Sequence, residues 1–112
     1  MHELGVTQNI VAIVGEAAKG HRVTRVTLEV GKLSGVMSEA IAFCFDVVVK
    51  GTALEGARLE ILDIDGRARC KACGLEFETE TLFTPCPCGS HRSTRIRGEE
   101  LIVKSMELVE AA

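Results

Sequence analysis

Cys70, Cys73, Cys86 and Cys88 fall within nineteen residues, as two close pairs separated by twelve. Thiols spaced in this way can grip one small ion from two sides. Zinc, which takes four thiolate or imidazole ligands tetrahedrally and does no redox chemistry, is the ion such a set ordinarily holds. Two disulfides are the alternative. The chain opens Met1-His2-Glu3 without a basic n-region, and the apolar residues that follow are spaced rather than continuous. No secretory signal is therefore expected, and a reducing, cytoplasmic location is favoured. Five cysteines also cannot all pair, and Cys44, between Phe43 and Phe45, is expected to be a small buried hydrophobe. An iron electron carrier of the rubredoxin type would use the same four thiolates and would be coloured and redox active.

Within Cys70-Lys71-Ala72-Cys73-Gly74, two intervening residues let both thiolates reach one ion, and Gly74 can take the positive φ that turns backbone amides toward sulfur. The second pair differs. Cys86-Pro87-Cys88-Gly89 has one residue between its thiols, and Pro87 has no amide proton to donate. His91, three residues after Cys88, could replace one thiolate if Cys86 does not reach. An all-cysteine set is favoured over this mixed one, because a histidine near a metal lobe is more often a solvated surface residue.

A second constellation stands at the other end of the chain. Met1-His2-Glu3 places an imidazole one residue after the α-amine, so amine, deprotonated backbone amides and the His2 ring can offer a near-planar set of nitrogens. That tetragonal environment suits Ni(II) or Cu(II) better than zinc. His21, just after Gly20, is expected at a helix end where the dipole favours a cation. Met37 and Met106 read as core residues, and Asp63 and Asp65 as solvated charges. No Ser/His/Asp grouping, phosphate-binding glycine loop or paired carboxylates marks an enzyme.

These residues need elements to position them. From Glu3 to Lys19, Leu4, Ile10, Val11, Ile13, Val14, Ala17 and Ala18 recur at three and four, the period of an amphipathic helix. Arg25 to Val30 alternates and predicts a strand. Ser38, with Glu39 in the first turn, predicts an N-cap for a second helix through Val49, whose apolar face would be Ile41, Phe43, Cys44, Val47 and Val48. Ala57 to Ile61 and Leu101 to Val109 predict two further strands. The expected architecture is α+β: a small three-stranded sheet covered by two helices, with a zinc-ribbon-like lobe inserted between two strands. Its division would be residues 1–65 plus 99–112 as one domain and 66–98 as the lobe.

With 112 residues, 46% of them hydrophobic, the chain can bury one modest core beside a small metal-stapled lobe. No apolar run approaches the roughly 20 residues a bilayer needs, so a soluble protein without membrane contact is expected. The lobe has little apolar content beyond Leu75, Phe77, Leu82, Phe83 and Ile96, and cannot fold alone without metal. It is also the basic part of the chain, with six Lys/Arg against three Glu in 66–98. A nucleic-acid-binding zinc ribbon is the alternative this raises, through Arg67, Arg69, Lys71, Arg92, Arg95 and Arg97. The acidic remainder and the absence of Tyr and Trp for base stacking weigh against it and favour an acidic protein partner.

Met1-His2-Glu3-Leu4, the strand Val26 to Ser34, Phe43-Cys44-Phe45-Asp46 leading to Lys50-Gly51-Thr52, the paired cysteines and Gly98-Glu99-Glu100-Leu101 together resemble the HypA/HybF family, nearly end to end. The resemblance implies a nickel metallochaperone for [NiFe]-hydrogenase maturation, not an enzyme. It implies Ni(II) as transferred cargo bound at His2 with nearby backbone nitrogens, including those of Met1, and tuned by Glu3. It implies structural Zn(II) on the lobe cysteines. The partners it implies are a HypB-type nickel GTPase and the hydrogenase large-subunit precursor; a homodimer is compatible with the sequence. One departure stands out: the family's second pair usually reads Cys-Pro-x-Cys-Gly-Ser, whereas Pro85-Cys86-Pro87-Cys88-Gly89-Ser90 shifts the first thiol by one place.

Overall fold

The computed structural model describes residues 3–109. The elements run α1 Glu3–Ala17, β1 Val23–Gly31, α2 Ser38–Val48, β2 Arg58–Ile64, β3 Arg67–Cys70, β4 Glu76–Glu78, β5 Ser93–Arg97 and β6 Leu101–Leu108. They form two three-stranded sheets, ordered β2-β1-β6 and β4-β3-β5. The expected α+β fold with two helices, one small sheet and a cysteine lobe is the fold observed. Among the described residues, no helix is long and apolar enough to cross a membrane.

Strand β1 is the centre of the first sheet. It pairs parallel with β2, Val26 opposite Leu59, and antiparallel with β6, Val26 opposite Met106. The parallel partner needs a crossover, which α2 supplies. Alternation sends Val26, Leu28 and Val30 toward the helices, where they meet Ile10, Val11 and Val14 of α1 and Ile41 and Phe45 of α2 in one buried cluster. Thr7, fully buried on α1, satisfies its hydroxyl by donating to the Glu3 carbonyl at 2.7 Å.

The second helix turns a different face to the core than the sequence suggests. Phe45 is 1% exposed, whereas Phe43 is 75% and Val47 54% exposed. Helix position, not side-chain hydrophobicity, decides: 41, 45, 48 and 49 share the inward stripe, and 43 and 47 fall on the opposite side. Cys44 is half-buried. Ser38 is not the cap. Met37 occupies that position without a side-chain bond, and the Ser38 hydroxyl donates instead to Asp63 Oδ1 at 2.7 Å. Met37 itself is exposed rather than core, while Met106 packs against the core as expected. Asp63 and Asp65 are both engaged, Asp65 by Lys32 Nζ at 2.7 Å. His21 sits at the end of α1, its Nδ1 2.9 Å from the Ala18 carbonyl.

The second sheet lies wholly within the cysteine lobe. Its strands have three to five residues, too few for a period to register in the sequence. Ala68, Cys70, Thr79 and Cys86 are buried there, but Leu75, Leu82, Phe83 and Ile96 stay exposed. The lobe therefore has no apolar core of its own, and its one dense region is sulfur.

Candidate metal centre

Strand β3 ends at Cys70, and the turn that follows presents Cys73. The Cys70 amide donates to the Leu75 carbonyl at 2.8 Å and the Gly74 amide returns to the Cys70 carbonyl at 3.0 Å, with Gly74 at φ 79°. This closes the first knuckle. Before β5, the Cys86 amide donates to the Ser90 carbonyl at 2.9 Å and the Gly89 amide to the Cys86 carbonyl at 2.8 Å. This closes the second. A bond from the Lys71 amide to the Arg92 carbonyl at 2.9 Å joins the two.

All four sulfurs lie within 4.8 Å of one another. Cys70 and Cys88 are 3.7 Å apart, and Cys73 and Cys86 3.6 Å. A disulfide needs about 2.05 Å, so these are not bridges, and all five cysteines are free thiols. A tetrahedron with metal–sulfur bonds of about 2.3 Å has edges of ~3.8 Å, the size the observed separations match. The donor set thus fits one zinc ion. His91 is exposed and outside the converging set, so the shifted Cys86 does reach and no histidine substitute is needed.

Amides point at the sulfurs as the knuckle geometry requires. Cys70 Sγ accepts from the Ala72 and Cys73 amides at 3.3 and 3.4 Å, and Cys86 Sγ from the Cys88 amide at 3.5 Å. The second knuckle has one such donor where the first has two, because the Gly89 amide, at the position matching Cys73, donates to the Cys86 carbonyl instead. In the metal-free thiols the consequence is asymmetric. The Cys73 amide, assisted by Ala72, outweighs burial and lowers the Cys70 thiol to about 6. For Cys86 the Cys88 amide pulls downward, but burial and the thiols of Cys73, Cys88 and Cys70 together win and push it up to about 12. A cation at the centre would reverse that penalty, since thiolate is the ligating form.

Half of the lobe's cations are already spoken for. Arg67 and Arg69 both reach Glu76, at 3.4 and 2.7 Å, and Arg95 pairs with Glu99. This thins the basic field a phosphate backbone would meet.

Among the described residues, no other group of three or more His, Cys, Asp or Glu side chains converges on a metal-sized space. Met1 and His2 lie outside the described residues. Glu3 is the first residue of α1, and its Oε2 accepts from the Met37 amide at 3.2 Å. Sequence reasoning missed that contact, since the donor is a backbone group and leaves no mark in residue type.

A family model described as "HypA: Hydrogenase/urease nickel incorporation, metallochaperone, hypA" matches residues 1–108. Among curated proteins, a "Hydrogenase maturation factor HypA" from Trichormus variabilis is 57% identical over 110 residues, covering 98% of this chain and 97% of that protein. One from Geobacter metallireducens is 49% identical over 109 residues, covering 96% and 99%. The fold is similar to the solution structure of the Ni metallochaperone HypA from Helicobacter pylori, with a TM-score of 0.70, 24% identity and coverage of 99% and 100%. A second HypA solution structure gives a TM-score of 0.70 at 26% identity, covering 97% of each chain.

Proposed function

This chain belongs to the HypA family of nickel-incorporation metallochaperones, maturation factors rather than catalysts, and we propose that it binds Ni(II) at Met1-His2-Glu3 and delivers it to a [NiFe]-hydrogenase large subunit. The observation that carries the reading is the completeness of the Cys70/Cys73/Cys86/Cys88 set. Four thiols converging on one metal-sized centre would leave a bound ion no open position for cargo in transit.

The two ends then do different work. Cys70, Cys73, Cys86 and Cys88 would hold Zn(II), and the chemistry it supplies is structural, tying together a lobe without an apolar core. Nickel as cargo would take the Met1 α-amine, intervening backbone nitrogen and the His2 imidazole, nitrogen donors in the arrangement Ni(II) prefers. Glu3, fastened to the Met37 amide, would set the approach of the chain end. Donors at a chain end can be peeled off one at a time, which suits release to an acceptor. The working units would be residues 1–65 with 99–112 for nickel and 66–98 for zinc. This agrees with β6 rejoining β1 while β3, β4 and β5 pair among themselves. Nickel would be handled with a HypB-type GTPase in the cytoplasm.

The test is a nickel titration of zinc-loaded protein beside His2→Ala and a chain extended by one N-terminal residue. One nickel per chain, lost or strongly weakened in both variants, is the expected result. Unchanged affinity in both rejects the site.

A further inference from the structure

We propose that the loop from Lys32 to Met37 is a positioning strap, fastening the Glu3 carboxylate to the two chain crossings that carry the cysteine lobe. The inference rests on the reading of Met1-His2-Glu3 as the nickel end, and deepens it by naming what holds that end in place.

At its lobe side the strap is seated by hydrogen bonds and close packing together. The Leu33 amide donates to the Gly98 carbonyl at 2.6 Å, and the Lys32 amide to the Ile64 carbonyl at 2.9 Å. Gly66 leads into β3 and its cysteine, while Gly98 follows the strand that returns from the second knuckle. Leu33 is 7% exposed yet stands apart from the helix-covered core cluster. Its burial comes from the crossings. A Cβ built on Gly66 would lie 2.8 Å from Leu33 Cδ1 and 2.3 Å from the Thr79 carbonyl oxygen, and one on Gly98 would lie 2.6 Å from the Gly66 Cα. Side chains at either position would prise the seat open, so glycine here serves close approach.

At the other side, four residues on, the Met37 amide donates to Glu3 Oε2 at 3.2 Å. Between the two anchorages the loop is braced by the Val36 amide on Ser34 Oγ at 3.2 Å. The loop is only a few residues long and is hydrogen-bonded at both ends, so on this proposal a shift of Leu33 against the glycines is passed to Met37 and to the amide that Glu3 accepts. Glu3 begins α1 and directly follows His2 in sequence, so the strap holds the residue to which the proposed nickel donors are joined. Met37 and Leu33 are accordingly positioning residues, acting on nickel only through Glu3.

The experiment compares Glu3→Ala, Leu33→Ala, the double variant and Leu33→Met in the full zinc-loaded chain. Nickel affinity, zinc content and amide hydrogen exchange at Met37 are measured together. Glu3→Ala should weaken nickel about tenfold, the scale of one charge-assisted hydrogen bond. Leu33→Ala should weaken it in the same direction and speed exchange at Met37, with zinc content unchanged. The double variant should be no weaker than Glu3→Ala alone, because both act through one contact, and Leu33→Met should restore the wild-type values. Additive losses, or Met37 exchange unmoved by Leu33→Ala, overturn the strap. Should Leu33→Ala fail to fold, stripping zinc from the wild type must accelerate Met37 exchange while Val11 and Val14 on α1 stay protected; an unmoved Met37 again overturns it. His2→Ala separates the two readings. If that variant binds nickel normally the terminal site fails, while the exchange measurements still judge the strap.

Discussion

Cys73 and Cys86, thirteen positions apart in the chain, bring their sulfurs to 3.6 Å, and this contact closes the metal centre in spite of the displaced second pair. Proline between Cys86 and Cys88 does not spoil the geometry, because the backbone bonds that close the second knuckle use the Cys86 and Gly89 amides and need none from Pro87.

Cys86→Ser should therefore abolish stoichiometric zinc, whereas His91→Ala should retain one zinc per chain. Elemental analysis, with cobalt substitution to report tetrahedral thiolate ligation, checks both. Retention of zinc by Cys86→Ser together with its loss in His91→Ala would place the histidine in the set instead.

Chelation should unfold the lobe and spare the helices. Structural zinc supplies about 10–16 kcal/mol of binding free energy in finger peptides, far more than the buried Ala68 and Thr79 of this lobe can replace. Amide exchange should lose protection in β3, β4 and β5 while Val14 and Leu28 keep theirs. Protection lost everywhere at once would mean a single cooperative unit.

Two phenylalanines on α2, two residues apart, should behave oppositely. Phe45→Ala empties a site that is 1% exposed and should cost about 3–5 kcal/mol. Phe43→Ala removes a side chain that is 75% exposed and should change stability by less than about 0.5 kcal/mol. Denaturant unfolding of the two variants distinguishes them.

Acid should weaken the β3–β4 pairing through Glu76. Its hydrogen bond to Arg69, then that to Arg67, holds the carboxyl below its ordinary value of 4.5. A carboxylate with a folded value below its unfolded one contributes stability that is fully present above about 4.5 and is lost as pH falls through the folded value. Both partners are partly solvated, so the effect is small and salt-sensitive. The melting temperature of Glu76→Gln should lie below wild type at pH 7, with the gap narrowing below pH 4.5. A gap constant with pH would show that the ion pair contributes nothing.

Much of this was legible without coordinates. The three-four spacing in α1, the alternation of β1 and the apolar residues of β6 each mark an element directly, since burial on one face imposes a period. The face of α2 was not legible. Its stretch from Ile41 to Val49 is apolar nearly all round, so hydrophobicity cannot say which side is inward, and only packing against α1 and the sheet selects Phe45 over Phe43. Ser38 misled for a related reason. Its hydroxyl has a choice of partners, and it donates to Asp63 on β2 rather than capping the helix.

Residue identity alone pointed to one metal-sized centre in the lobe, because two close pairs of thiols can converge on a common ion, but it left open which side chains complete the set. It also decided the α+β pattern, through periodicity. Folding decided the rest: that Cys86 reaches and His91 does not, that Leu33 is buried by glycines far away in sequence, and that a backbone amide at Met37 meets Glu3. Backbone donors and close approaches are set by the path of the chain in space, and that path is absent from the order of its side chains.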